Sequence, residues 1–411
     1  MSTSPFPSTE SSPRTRAAAF AVSGLLLAAA LVACSGGTPP SEDPTTSQLT
    51  NRVLVTNSFA SRVNIVDGDT DRVSQFGIGG GSAPTIMAVS SDKRRTLIFA
   101  SANNGVTVID NATEGALGQV ALPGLADSLV AGNDGTRGYA AVRNAGVVVV
   151  IDITNGSTTS IPVPTVRRLV LNPAGTRLLA FSDDSDSVTV IDTSNNAPIV
   201  VPGFDRPINA VFSSDNSIAY VMNCGPQCGS NSNTASVQEL LMTTNPPTPG
   251  ASVDVSAATV GLLNGGNLYV AGTVPGALCE PGTAASFCGK LRVLTTSPLA
   301  VTASDVDISD GFHHVMALGS NNKLFIGARA CTNVNTPSEM RGCLSIFNTS
   351  GSTAIVSGPN GEISALQPIE GRNVVYVVEG DELMIYDTTT DAPQANQINF
   401  VGRVVDAKSI D

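Results

Sequence analysis

Val63-Asn64-Ile65-Val66-Asp67, Val106-Thr107-Val108-Ile109-Asp110, Val148-Val149-Val150-Ile151-Asp152 and Val188-Thr189-Val190-Ile191-Asp192 are one short pattern written four times. Each is a β-branched run suited to a strand buried on one or both faces. Each ends in an aspartate that can bond its own backbone and start a tight turn. Looser copies follow at Leu344-Ser345-Ile346-Phe347-Asn348 and Leu383-Met384-Ile385-Tyr386-Asp387. Counted independently, the strands that precede such runs are 53–56, 97–101, 138–142, 178–182, 218–222, 268–271, 324–327 and 374–378, which makes eight units. Most have a polar turn before them, such as Asn133-Asp134-Gly135-Thr136, and before that another short strand, as at 85–89 or 167–171.

The unit returns about every 40 to 55 residues from Asn51 onward. That period means propeller blades or a solenoid, and four short strands per unit favour blades. The first unit lacks its leading strand, because the segment ahead of Asn51 is polar. The last has one to spare, since Val401-Gly402-Arg403-Val404-Val405-Asp406-Ala407 lies beyond the final complete repeat. A ring explains both facts, because the end of the chain then supplies the innermost strand of the first blade and leaves no open edge. The expected fold is all-β, a propeller of eight blades with four antiparallel strands each. Seven blades is the alternative, if one divergent unit in 205–345 is an insertion.

Composition narrows the function. The 411 residues are 42% hydrophobic but only 4% aromatic and 14% charged, with 39 Gly, 25 Pro and no Trp. A net charge of −12 disfavours nucleic acid as a partner, since phosphate backbones attract Lys and Arg. Without tryptophan, neither the tryptophan–aspartate dipeptide of WD-repeat blades nor the tryptophan docking motif of quinoprotein blades can be present.

The amino-terminal segment reads as an address. Arg14 and Arg16 precede an apolar run from Ala17 to Ala33 that ends in Leu31-Val32-Ala33-Cys34. This resembles a bacterial lipoprotein signal, which implies cleavage before Cys34 and acylation of that residue. Several acyl chains anchor firmly, at about 0.8 kcal/mol per buried methylene. The resemblance gives a signal peptide over 1–33 and a membrane held through the lipid on Cys34. Ser35, rather than Asp, after the cysteine favours the outer membrane of the bacterial envelope. An ordinary secretory signal or an uncleaved anchor helix is the alternative. Residues 34–50 are Gly, Pro, Ser and Thr with little to bury, and read as a flexible tether. The propeller then occupies 51–411.

Leu54-Val55-Thr56-Asn57-Ser58 together with Val63-Asn64-Ile65-Val66-Asp67 resembles the YVTN family of bacterial and archaeal surface repeats, with Leu54 in place of the Tyr. The resemblance covers the first four units and part of the eighth. It implies a cell-surface or envelope protein and is silent on activity, because the motif residues are structural.

Six cysteines besides Cys34 form three local pairs, Cys224 with Cys228, Cys279 with Cys288, and Cys331 with Cys343, so neighbour disulfides are expected in an exported chain. Metal binding is disfavoured, because Cys224-Gly-Pro-Gln-Cys228 is one residue too long for a zinc knuckle. The pairs fall between second and third strands of units five, six and seven, in insertions over about 223–236, 273–290 and 329–342. Equivalent loops emerge on one face of a ring. Gln227, Glu280, Phe287, Met340 and Arg341 are therefore candidates to contact an envelope partner, the alternative being that exported proteins staple long loops against proteolysis.

Catalysis has less support. His313-His314 starts an innermost strand, where neighbours face opposite ways, so at most one reaches the central channel. Arg167 or Arg168, Asn209, and Asp127 or Asp406 are the other candidates to line it, with no nucleophile–base–orienter trio among them. Asp67-Gly68-Asp69-Thr70-Asp71 and Asp183-Asp184-Ser185-Asp186 look like the start of calcium loops but lack the later ligands, and Asp belongs in turns anyway. No catalytic residue, metal or cofactor is assigned. The expectation is a monomeric, lipid-anchored binding or scaffold module. A lactonase-like hydrolase with its site in the channel is the alternative.

Overall fold

The computed structural model describes residues 46–276, 288–332, 340–351, 353–356 and 361–411. The amino-terminal segment over 1–45 with Cys34, the segment with Cys279, Glu280 and Phe287, and the side chains of Met340 and Arg341 lie outside the described residues.

The strands form eight antiparallel sheets in which inner, second, third and outer strands follow one another along the chain. Blade one is the exception that closes the ring: its outer, third and second strands are Arg72–Gly79, Arg62–Asp67 and Arg52–Asn57, and its inner strand is Val404–Ser409 from the other end of the chain. Blade six has a broken outer strand, Leu299–Val301 and Val306–Ile308, both pieces pairing with Gly289–Thr296.

The β-branched runs follow from this stacking. A blade is packed on both sides, so both faces of its middle strands must be apolar. Val53 and Val55 point to Val374, Tyr376 and Val378 of blade eight, while Leu54 between them points to Met87 and Ile98 of blade two. Among the described residues the core is divided into eight such clusters, one at each seam between neighbouring blades. The outer strands face water and carry prolines at Pro162, Pro198, Pro202, Pro249 and Pro393, which remove donors from an edge that could otherwise pair with another chain.

The aspartate that ends the third strand in blades one to four and eight makes the turn expected of it. Asp110 accepts the backbone N–H groups of Ala112 and Thr113, each at 3.0 Å, and Asp152 accepts that of Thr154 at 2.8 Å. In blades one to four the opposite residue on the second strand is an arginine, and Arg95–Asp110 and Arg177–Asp192 are ion pairs at 2.6 Å. Both acidic clusters are absorbed in such contacts. Asp67 accepts the N–H of Asp69 at 3.0 Å, Asp69 accepts the Asn51 amide at 2.8 Å, and Asp71 turns to Arg372. Asp183 faces Arg143 and Arg167, and Asp184 and Asp186 face Arg206. No group of three His, Cys, Asp or Glu side chains converges as a cation site among the described residues.

Closure rests on more than one ladder. Thr56 Oγ1 accepts the Asp406 N–H at 2.9 Å. The Asn57 amide donates to the Val401 carbonyl at 3.0 Å and its oxygen accepts the Arg403 N–H at 3.2 Å. Gly402 between them has φ +131°, and a Cβ there would lie 2.3 Å from Asn57 Oδ1. Across the seam from blade eight, Arg372 holds Asp71 with Nη1 at 2.5 Å and Nη2 at 2.8 Å, and the Tyr376 hydroxyl donates to the same carboxylate. Arg52 reaches Asp411 at 2.5 Å and Glu114 of blade two at 3.2 Å. Ser47 also bonds Glu114, through its hydroxyl at 2.6 Å, and Leu49 packs on the seam between blades one and two.

Truncation after Phe400 removes the inner strand of blade one with buried Val404, Ala407 and Ile410. It is expected to abolish the cooperative thermal transition and give rapid proteolysis. Gly402→Val, which combines left-handed strain with the clash on Asn57, should cost about 1–3 kcal/mol in denaturant unfolding.

Candidate functional site

The inner strands wall a central channel, and a β-bulge decides which of their side chains enter it. The register shifts by one residue between Pro84 and Ile86, Val166 and Arg168, Pro207 and Asn209, His313 and Val315, and Ile363 and Ala365. A bulge re-aims the side chains around the extra residue. In blade four it separates the two arginines. Arg167 is thrown to the rim, where its side chain is 57% exposed and pairs with Asp183 at 3.3 Å, while Arg168 turns inward.

The channel holds a cavity of about 570 Å³, with Arg168, Asn209, His314 and Lys408 among its lining residues. Asp127 stays at the rim, 3.7 Å from Arg143. Asp406 is buried behind the wall, with Oδ2 accepting the Met87 N–H at 2.9 Å and Oδ1 accepting the Ala407 N–H at 2.8 Å. Burial pushes its carboxyl up, and Lys408 at 3.6 Å together with the two N–H groups offsets part of that.

The two histidines divide as adjacent strand residues should. His313 is fully buried in the wall, where its carbonyl accepts the Thr259 hydroxyl at 2.7 Å, and His314 faces the cavity. Neither ring makes a well-formed hydrogen bond among the described residues. Burial pushes His313 down to about 4; burial, with Arg329 and Arg168 adding repulsion, pushes His314 down to about 3. Both are therefore neutral imidazoles at ordinary pH. Sequence reasoning missed Lys408, whose signal was its period-two spacing from Asp406. It also missed the influence of Arg329, which pairs with Glu362 at 2.5 Å.

The opposite candidate, the stapled sector, also takes shape. Every blade has the same connectivity, so the second-to-third connections share one face. Cys224–Cys228 closes a one-turn 3₁₀ segment over Gly225–Cys228, with Cα atoms 5.5 Å apart. Cys331–Cys343 departs from the expected loop: its cysteines lie within the long hairpin Lys323–Thr332 and Met340–Asn348, Cα atoms 6.0 Å apart, and staple two paired strands. Cys288 is disulfide-bonded, and its expected partner Cys279 lies outside the described residues.

Gln227 is a link between blades. Its amide oxygen accepts the Thr273 N–H of blade six at 2.9 Å, and its NH₂ lies 3.5 Å from the Gly311 carbonyl that also accepts the Thr273 hydroxyl at 2.6 Å. Glu280 and Phe287 lie outside the described residues. The backbones of Met340 and Arg341 pair with Thr332 and Cys331.

No family model and no curated protein matches the chain. Among solved structures it is similar to hydrazine synthase of Kuenenia stuttgartiensis, at 15% identity over 75% of this chain and 96% of that one, with a TM-score of 0.57. Dihydro-haem d1 dehydrogenase NirN in complex with DHE aligns at 14% identity over 91% of this chain and 77% of that one, with a TM-score of 0.64. A functionally unknown protein from Desulfotomaculum acetoxidans aligns at 15% identity over 75% of this chain and 100% of that one, with a TM-score of 0.51. At these identities the likeness is one of fold, the β-propeller.

The buried imidazoles carry a pH dependence of known sign. The folded chain keeps them neutral to about pH 4 and 3, whereas the unfolded chain takes up protons near 6.5. Acidification from pH 7 to 5 therefore favours unfolding, by about 2 kcal/mol per histidine at pH 5. Denaturant titrations should show that loss in the native chain and a smaller one in His313→Gln.

Proposed function

We propose that this chain is an envelope-anchored lipoprotein whose propeller is a non-catalytic binding or scaffold module. The carrying observation is the arrangement around Gln227: disulfide-stapled connections of consecutive blades on one face, with blade five tied to blades six and seven by hydrogen bonds. A ring closed by its own terminus cannot splay, and stapled loops on such a frame lose little conformational freedom when a partner docks. The partner meets this sector, with the segment containing Glu280 and Phe287 and the hairpin bearing Met340 and Arg341 as its contacts.

Anchoring is supported by Leu31-Val32-Ala33-Cys34 after the apolar run, and by disulfides, which persist in oxidising compartments. Residues 1–33 are the signal peptide and 34–50 the tether, whose last residues, Ser47 and Leu49, pack on the propeller of 51–411. Removing Arg14, Arg16 and Glu10 with the signal moves the net charge from −12 to −13, so lipid rather than surface charge holds the body at the outer membrane. The Leu54–Asn57 motif supports membership of the YVTN repeat group, whose residues here serve closure: Thr56 and Asn57 hold the terminal strand.

Mass spectrometry of the native protein should find an acylated Cys34 as the first residue; an unmodified Cys34 ends the anchoring claim. Shortening 277–287 and 333–339 should reduce capture of envelope partners at least tenfold with the melting temperature unchanged. Undiminished capture would remove the binding role of this sector.

A further inference from the structure

We propose that the central channel binds a small oxyanion, a carboxylate or phosphate group, on the guanidinium of Arg168.

The first observation is the state of that side chain. Arg168 lies in the cavity wall, its Nε is shut off from solvent, and it makes no hydrogen bond or ion pair with any described residue. A partly buried cation without a partner is poorly compensated, whereas the other arginines on the adjoining rim, Arg143 and Arg167, are paired. Burial and the charge of Arg329 push Arg168 down only to about 10, so the unpaired charge persists at neutral pH.

Its place in the repeat is the second observation. At the equivalent ladder position Asp406 accepts the N–H of Met87 in the next inner strand and Ser128 accepts that of Leu169 at 3.2 Å, while blades two and eight carry apolar Ile86 and Ala365 there. Polar side chains at this position thus serve a neighbouring blade or are replaced by apolar ones. Arginine has only donors and cannot accept a backbone N–H, and in blade four it lines the cavity instead.

Third, the cavity has the charge and donors such a ligand needs. The chain carries 34 acidic against 22 basic residues, yet among the described residues no Asp or Glu lines this cavity, while Arg168 and Lys408 do. Lys408 is paired to Asp406 behind the wall, and Arg329 to Glu362, which leaves Arg168 as the group with unmet demand. Asn209 gives its amide oxygen to the Ala210 N–H at 2.9 Å, which leaves its NH₂ as a donor. A planar guanidinium beside a neutral amide donor suits bidentate capture of an oxyanion. The volume, about 570 Å³, is that of a small-molecule site.

The inference is independent of the lipid and of the stapled loops. The test is calorimetric titration and thermal melting of the full chain with inorganic phosphate in one arm and citrate in the other. The native chain should bind at least one probe saturably, one per chain, with a rise in melting temperature; the arm that responds identifies the oxyanion. Arg168→Met should weaken binding at least tenfold while melting no lower than the native chain in ligand-free buffer, because it removes an unpaired, partly buried charge. Arg168→Lys should fall between the two, and Arg403→Met, at the rim, should bind like the native chain. Absence of binding in both arms, undiminished binding by Arg168→Met, or a ligand-free Arg168→Met that melts below the native chain would overturn the proposal.

Discussion

Everything in this molecule depends on one antiparallel pairing, that of Val404–Ser409 with Arg52–Asn57. Seven blades are continuous in sequence and could stack as an open arc. The eighth seam exists only because the two ends share a sheet, and only a closed ring gives every middle strand a neighbour on both sides. The side chains around the joint carry the same message. Thr56 and Asn57 are occupied with the terminal segment, Gly402 makes room for Asn57, and Arg372 and Arg52 reach across the adjoining seams.

That architecture explains how much was legible in the sequence. The third strands were readable because burial on both faces selects β-branched residues at every position, and because one aspartate can make the following turn from its own side chain. The ring was readable because strands could be counted, and the shortage at one end matched the surplus at the other. Each second strand expected from sequence overlaps an observed one, often a residue or two longer, as with Arg177–Ser182; the expected 97–101 runs one residue past Arg95–Ala100.

The channel was less legible, for a specific reason. Period-two reasoning separates inward from outward only while the register is unbroken, and a one-residue bulge near the start of most inner strands resets it. Hence the choice between Arg167 and Arg168 was open, and Asp406, which alternation allowed into the channel, is buried behind the wall holding a backbone N–H. The third cysteine pair was misread as a loop staple because strand length in a hairpin depends on pairing that the polar residues around it do not advertise. The result is a scaffold with two distinct concentrations of unusual chemistry, a cross-linked sector on one face and an electropositive cavity along the axis of an acidic body.

The position of the closing strand also dictates an order of events. A polypeptide is made from its amino terminus, so the partner of Arg52–Asn57 arrives some 350 residues after the strand that needs it. Until then the nascent body carries an unsatisfied β edge beside a hydrophobic seam, and such a species is prone to associate with others of its kind. Contacts this distant along a chain also form slowly. Synthesis thus includes an interval in which seven blades are assembled while the first still lacks its innermost strand.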